Sequence, residues 1–343
     1  MKKLFHVLLC AALAVGLFYA WSWYRDNRLP AFEGGSELFV LPGDTIDDVI
    51  GEISSQTVIS RPSSFRSLLE KNDVQASLRP GHYVLTADKP AIYVVRMLTR
   101  GWQTPVNLVL SGSLRSVGEI ARKVGNQLML DSSVVDNSLR DPQMLEKYGF
   151  TPETAFALLM PDTYEMYWTA SMDDVLNRQK AAYDKFWTAD NVAKARALGL
   201  SQMEVSVLAS IVKGESNYRP ELPKIAGVYL NRLRLGMKLQ ADPTVAFCFN
   251  YEPKRILKRH LEVDSPYNTY KYEGLPPGPI NVPSREYLEA VLNPDYGDGN
   301  IFFCADPSFN GSHRFARTLA EHNANARAFQ QALTREQRKA AGK

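Results

Sequence analysis

Cysteine is scarce in this 343-residue chain, where Cys10, Cys248 and Cys304 are the three present. None stands in C-x-x-C spacing, which excludes a disulfide framework and a cysteine-built metal cluster. A single Cys248 to Cys304 bridge in an oxidising compartment and two isolated, unreactive thiols both stay open. Zinc-type spacing of histidine and cysteine is missing, as is a glycine loop that would cradle phosphate, so no metal or nucleotide cofactor is indicated. Charge of one sign is missing too. Lys and Arg number 40 against 37 Asp and Glu, a net +3, too even a balance to point to nucleic acid. There is no repeat or low-complexity segment, and the length allows a membrane segment plus two globular units.

What is present begins at the N-terminus. After Met1-Lys2-Lys3, the run Leu4 to Ser22 carries no formal charge except the titratable His6. At about 1.5 Å per helical residue, about 20 residues cross a hydrocarbon core of about 30 Å. Trp21, Trp23 and Tyr24 suit an interfacial aromatic belt, and the two lysines favour a cytoplasmic N-terminus, although Arg25 and Arg28 on the far side oppose that orientation. A cleaved secretory signal is the rival reading, and either reading puts the body outside the cytoplasm. Lipoprotein processing does not fit, because Leu9 precedes Cys10. The expectation is a single-pass anchor in the cytoplasmic (inner) membrane, with a tip at 1–3, the span at 4–22 and a polar linker at 23–36.

A small domain is expected over 37–103. Leu38 to Leu41 reads as a strand and Pro42-Gly43-Asp44 as a turn. Thr45 reads as an N-cap ahead of Ile46, Val49, Ile50 and Ile53 at helical spacing. Arg61-Pro62-Ser63-Ser64 signals a second helix carrying Phe65, Leu68 and Leu69. Gly81 to Leu85 is again a strand, and Ile92 to Leu98 a further helix. The order strand, helix, helix, strand resembles a LysM-like glycan-binding module, with a plain α+β packing unit as the alternative. A larger α+β body, 104–335, opens with a strand at Val106 to Leu110 and a helix carrying Val117, Ile120 and Val124. Residues 132–157 are polar and irregular, Leu158 to Trp168 is aromatic-rich around a Pro-Asp turn, and 172–198 reads as one helix with Tyr183, Phe186 and Trp187 on its apolar side. The fold class is α+β throughout, behind the N-terminal transmembrane helix.

The stretch with chemical content runs from Ser201 to Asn323. Ser201 with Glu204 has capping-box spacing, so a helix begins there and carries Val205, Leu208, Ile211 and Val212. Glu215 falls on its apolar face, four residues past Ile211. Such a carboxylate either faces solvent at a frayed helix end or sits against a hydrophobic wall. In the second case desolvation raises its pKa above the usual value of about 4.3, and it can hold a proton near neutrality. A protonated carboxyl of that kind is the acid that glycosidic-bond cleavage needs.

Polar residues of specific types gather after it. Asn231 falls within the apolar periodicity of Ile225, Val228, Tyr229 and Leu233, where an amide must find a partner. Gln240, Asp242 and Thr244 follow, then Tyr267, Asn268 and Thr269, then the rigid turn Gly274 to Ile280. These are the candidates for orienting a glycan and Glu215. Asp242 also reads as a turn residue before Pro243, Asn268 as a cap of its own turn, and His322 with Asn323 either as a closing element or as ordinary helix residues.

The segments LASIVKGES, IAGVYLNRLRLGMKLQADPTV, SPYNTY, GLPPGPI and LAEHN, with SRPSSFRSLL, RPGHYVLT and LLMPDTYEMY upstream, together resemble the YceG-like family of endolytic murein transglycosylases. The resemblance covers nearly the whole chain, anchor included. It implies that Glu215 is the catalytic residue, matching the second glutamate of a family motif resembling I-V-E-K-E-T. The first glutamate is Lys213 here, on another face of the helix, where little influence on Glu215 is expected. The implied reaction uses one carboxyl group. Glu215 protonates the leaving GlcNAc oxygen within a glycan strand, and the muramyl 6-hydroxyl closes a 1,6-anhydro ring, so no second carboxylate is required. Peptidoglycan strands are the implied substrate, and peptidoglycan synthases and penicillin-binding proteins the implied partners. A muramidase using water, with Asp242 or Glu221 as second carboxylate, and a membrane-tethered, non-catalytic glycan-binding scaffold are the competing functions.

Overall fold

Alternating and helical apolar patterns sort this chain into a mixed α+β fold behind one apolar helix. Residues 2–340 are described in a computed structural model. The chain divides into two compact units. The first runs to Leu108 and takes in Gln127–Met129 and Glu165–Ala170; the second holds Val109–Asn126, Leu130–Tyr164 and the chain from Ser171 onward.

In the first unit, α1 (Lys2–Arg28) presents its apolar side chains to the exterior along its length. It is long and apolar enough to cross a membrane. Strand β1 (Ser36–Val40) pairs antiparallel with β2 (Gly81–Leu85), Leu38 opposite Tyr83. Between them lie α2 (Ile46–Gln56), α3 (Pro62–Lys71) and the short α4 (Val74–Ser77), and α5 (Ala91–Arg100) follows. The chemistry of each start is visible. Thr45 and Asp48 close a capping box on α2, and Pro62 occupies the first turn of α3, where a missing N–H costs nothing. Leu38 and Val40 point inward on β1 and pack with Val49, Ile53, Phe65, Leu69 and Val94. Residues 23–36, read from the sequence as a linker, contain the last turns of α1 and then Ala31 and Phe32, both buried in this core. Isolated bridges hold that stretch at Pro30 to Pro90 and Phe32 to Ile59.

The chain passes between units within β3 (Val106–Leu110) and β4 (Asp162–Met166). In the second unit, α6 (Val117–Gly125) is followed by α7 (Ser132–Ser138), α8 (Pro142–Glu146) and α9 (Ala155–Leu158). The stretch that reads as irregular is therefore a set of one- and two-turn helices, two of them begun by the side chains of Asp131 and Asp141. The expected helix over 172–198 is two helices, α10 (Met172–Phe186) and α11 (Ala189–Ala197). Thr188 caps the second, accepting from the Asn191 amide at 3.3 Å.

Helices α12 (Gln202–Glu215), α13 (Leu222–Arg234), α14 (Asp242–Cys248) and α15 (Arg285–Leu292) build the centre of this unit. A hairpin of β5 (Phe302–Ala305) and β6 (His313–Ala316) and the long α16 (Leu319–Ala340) complete it. Val205, Leu208, Ile211 and Val212 of α12 are all fully buried. Buried Ser210 fastens the turn after Gly274 to the same helix. Its Oγ accepts from the Ile280 amide at 3.0 Å and its carbonyl accepts from Asn281 Nδ2 at 2.8 Å. Gly278 is required in that turn, since a Cβ there would lie 2.0 Å from the Glu153 carbonyl oxygen. Cys248 and Cys304 are both free thiols.

Candidate active site

Glu215 is the last residue of α12, whose start is fixed by the Ser201 and Glu204 capping box. Gly214 lets another element reach it. A Cβ on that glycine would stand 2.5 Å from Pro243 Cβ, so the first turn of α14, with Asp242 and Pro243, seats directly on the end of α12. From α13, Tyr229 donates its hydroxyl hydrogen to Glu215 Oε1 at 2.6 Å. The register of α13 depends on Gly227, whose position a Cβ would bring within 2.1 Å of the Asp295 carbonyl oxygen.

Burial against these elements pushes the pKa of Glu215 up from 4.5 to about 7, with the negative charge of Asp242 adding to the rise. The Tyr229 hydrogen bond and the Arg232 charge pull the other way without cancelling it. Glu215 is half-buried, so the carboxyl meets both a protein wall and the open cleft. Desolvation thus wins over the neighbouring cation, and the group is about half protonated near neutrality. Arg232 is itself fixed at a distance. Its guanidinium donates to the Leu239 carbonyl at 2.6 Å and the Ile301 carbonyl at 2.7 Å, and stacks over Phe302. Asp242 is exposed and accepts the Tyr270 hydroxyl at 2.6 Å. Burial drives Tyr229 and Tyr270 upward, and their carboxylate partners add to it, so both stay protonated donors.

Two clefts in the second unit meet at Glu215. One, of about 1040 Å³, is walled in part by Arg115, Lys213, Asp242, Tyr251, Arg255 and Glu286. The other, of about 610 Å³, is walled by Tyr218, Asp306, Phe309, Ser312, His313 and Phe329, among others. Glu215 and Asn217 line both. Among the described residues no group of three or more His, Cys, Asp or Glu is placed to hold a metal ion.

The other residues singled out from the sequence take different places. Thr244, Asn268 and Thr269 are buried and bond to one another's loops. Thr244 Oγ1 lies 2.9 Å from Thr269 Oγ1, which accepts from the Ala241 amide at 3.0 Å. Asn268 donates to the carbonyls of Leu261 and Val263 and accepts from the Tyr270 amide at 3.0 Å. Together they shape the loop that delivers Tyr270 to Asp242. Asn231 donates to the Asn300 carbonyl at 3.0 Å and so braces the segment entering β5. Gln240 is exposed with φ +51 and lines neither cleft. Tyr267 packs on Phe247, ring centres 4.6 Å apart. His322 stacks on Phe302 and Asn323 is exposed on α16, neither of them a wall of either cleft. Glu221 is engaged by His313, whose backbone amide it accepts at 2.9 Å. Lys213 donates to the Val282 carbonyl at 2.7 Å and does not figure among the groups that shift Glu215.

Tyr229, Tyr270 and Arg232 were not among the sequence candidates. Tyr229 satisfies the apolar periodicity of α13, and nothing local marks its hydroxyl as the partner of a residue 14 positions away. Arg232, a charge within that buried helix, was the one available signal.

An α+β body presenting a single near-neutral carboxyl at the meeting of two clefts defines a candidate acid-catalysed site. The YceG-like family model matches residues 38–328, most of the chain, and the chain belongs to that family. It is 42% identical over 124 residues to the endolytic murein transglycosylase of Bacillus subtilis, an alignment covering 36% of this chain and 34% of the relative. It is 25% identical over 349 aligned positions to the endolytic murein transglycosylase of Streptococcus pneumoniae, covering 92% of this chain and 62% of the relative. The chain thus matches less than two thirds of the length of these relatives. Among solved structures, a YceG-like protein from Listeria monocytogenes matches with a TM-score of 0.55 and 27% identity, over 85% of this chain and 99% of the other.

Proposed function

We propose that this protein is an endolytic peptidoglycan lytic transglycosylase, cutting the MurNAc-GlcNAc β-1,4 bond inside glycan strands with Glu215 as acid and then base. The observation that carries this reading is the placement of Glu215, held near a pKa of 7 where two open clefts meet. An acid at the junction of two clefts can be flanked by sugar on both sides, as an internal cut requires. Protonated Glu215 gives its proton to the leaving GlcNAc oxygen as the glycosidic bond breaks. The muramyl 6-hydroxyl attacks the anomeric carbon and returns a proton to the Glu215 carboxylate, so the product carries a 1,6-anhydro ring and no water is consumed. Tyr229 steadies the carboxyl through both steps. The relatives' names support the substrate class, and the single apolar helix supports a membrane anchor. With Lys2 and Lys3 on the cytoplasmic side, the clefts lie on the extracytoplasmic face, where cell-wall strands, peptidoglycan synthases and penicillin-binding proteins work. The first unit, with its strand, helix, helix, strand order, fits a LysM-like glycan-binding role.

A hydrolytic reading has one observation in its favour, since Asp242 lines the same cleft and its charge reaches Glu215. Product analysis on purified glycan strands separates the two. Anhydro-muramyl ends support transglycosylation, reducing ends support hydrolysis, and no cleavage supports a binding scaffold. Glu215→Gln is expected to keep the fold and glycan binding while losing cleavage, because an amide cannot give up the proton. Turnover near the parent level in that variant would remove Glu215 from the mechanism.

A further inference from the structure

The two clefts that meet at Glu215 differ in charge. Among the described residues, the smaller carries Asp306, paired with Arg314 at 2.8 Å, and no Lys or Arg on its walls. The larger carries Arg115, Lys213, Arg219, Lys254 and Arg255 against Glu215, Asp242 and Glu286. Its acidic members are already engaged. Glu286 pairs with Arg219 at 2.7 Å, Asp242 accepts from Tyr270, and Glu215 is partly protonated. Among the described residues, no carboxylate lies within ion-pair distance of Arg115, Lys213, Lys254 or Arg255. In a chain of net charge +3, four unpaired cations on one wall are a local concentration, not a reflection of composition. Burial depresses the pKa of Lys213 and the nearby Arg115 charge adds to the fall, which the Glu286 charge opposes without reversing.

The backbone that brings two of these cations to the cleft is held in a costly shape. Asn250 and Tyr251 have φ of +51 and +60 in succession, the left-handed region that a tyrosine adopts only under strain. The conformation is pinned by the Tyr251 hydroxyl, which donates to the Ile280 carbonyl at 2.5 Å, and by Arg115 stacked over the Tyr251 ring at 5.2 Å. Lys254 and Arg255 lie three and four residues past Tyr251, after Glu252 and Pro253, and both are exposed.

We propose that the basic cleft binds the carboxylates carried by the muramyl residues of the strand, whether the lactyl carboxylate or those of an attached stem peptide. The inference rests on the transglycosylase reading and gives it a direction. The anionic muramyl residue adjoining the cut bond lies in the basic cleft, and the neutral GlcNAc residue on its other side lies in the smaller cleft beside Tyr218 and Phe309, whose exposed rings suit a sugar face.

The test uses the full-length Glu215→Gln protein in detergent micelles, so that binding is read without cleavage. Three probes are compared: strands with peptide stems, amidase-stripped strands that keep the lactyl carboxylate, and stripped strands with every carboxyl blocked as the methylamide. At low salt the carboxyl-bearing strands are expected to bind about tenfold more tightly than the blocked ones, with the gap closing as salt rises. Adding Lys254→Glu and Arg255→Glu should erase the preference, costing the carboxyl-bearing strands about tenfold in affinity and the blocked strands much less. Preference surviving stripping assigns the site to the lactyl group, and preference lost on stripping assigns it to the stem. Equal affinity for blocked and unblocked strands overturns the proposal, as does a charge-reversal loss of the same size on both. Failure of the transglycosylase reading would show separately, as cleavage by the Glu215→Gln protein or a lack of anhydro ends from the parent.

Discussion

Tyr229 donates its hydroxyl to Glu215 Oε1 at 2.6 Å from a ring only 2% exposed, the closest constraint on the candidate acid. The bond favours the ionised carboxyl, so removing it should raise the Glu215 pKa further. Tyr229→Phe is expected to lower kcat about tenfold through loss of positioning and to cost about 1 kcal/mol in stability. The alkaline limb of the kcat/KM profile should move to higher pH. An unshifted limb would assign the hydroxyl a purely structural role.

The raised pKa of Glu215 also makes a statement about stability. Below pH 4.5 the carboxyl is protonated in both folded and unfolded chains and contributes no pH dependence. As pH rises from 4.5 through about 7, the unfolded chain ionises first and gains relative to the folded one. The native state therefore loses stability across that window, by up to about 3 kcal/mol above it. Glu215→Gln removes the titration. Its melting temperature should match the parent near pH 4.5 and exceed it at pH 8, as scanning calorimetry can read. A constant difference between the two proteins across that range would contradict the desolvated environment of this carboxyl.

Gly214 sits between Lys213 and Glu215 and admits Pro243 to the end of α12. Gly214→Ala places a methyl group 2.5 Å from Pro243 Cβ, an overpacking that costs about 1–3 kcal/mol. The displaced first turn of α14 carries Asp242 away from Glu215, so activity should fall more than stability does. Removing the obstruction with Pro243→Gly, which takes away the Cβ as well as the ring, should recover part of both in a double mutant. An additive double mutant would show that the two residues do not meet.

Much of this layout is legible in the sequence, because local chemistry decides it. Thr45 and Ser201 announce their helices through capping, and Val106–Leu110 announces its strand through side-chain type. The split at Thr188 is less visible, since a single cap competes with continuous apolar spacing on both sides. Glu215 is reachable from periodicity and resemblance, and Asp242 from its place in the motif. Asn231, Thr244, Asn268 and Thr269 show the limit of that reasoning. Polar residues within a motif read alike whether they touch a ligand or hold the loops that do. Asn231 reaches the Asn300 carbonyl and Thr269 the Ala241 amide, both far along the chain, while Asn268 bonds within its own loop. The residue that touches Glu215 is instead a tyrosine that the pattern files among the apolar set.

Asp242 and Tyr229 act on the Glu215 proton in opposite senses, which gives the sharpest check on the site. The Asp242 charge raises the Glu215 pKa, so Asp242→Asn should lower it and move the alkaline limb of kcat/KM to lower pH, opposite to the shift from Tyr229→Phe. In the parent, kcat/KM should fall about tenfold per unit above pH 7, because only the protonated acid can serve the leaving oxygen. With the Asp242 charge removed, the fraction of protonated Glu215 at pH 7 drops, and kcat/KM there should drop with it, while kcat/KM at pH 5, where the acid is protonated in both proteins, changes little. Anhydro ends should persist in the products, since the muramyl hydroxyl supplies the nucleophile. If Asp242→Asn instead abolishes cleavage at every pH, the carboxylate takes part in the chemistry, and the hydrolytic mechanism with two carboxylates replaces the single-acid one.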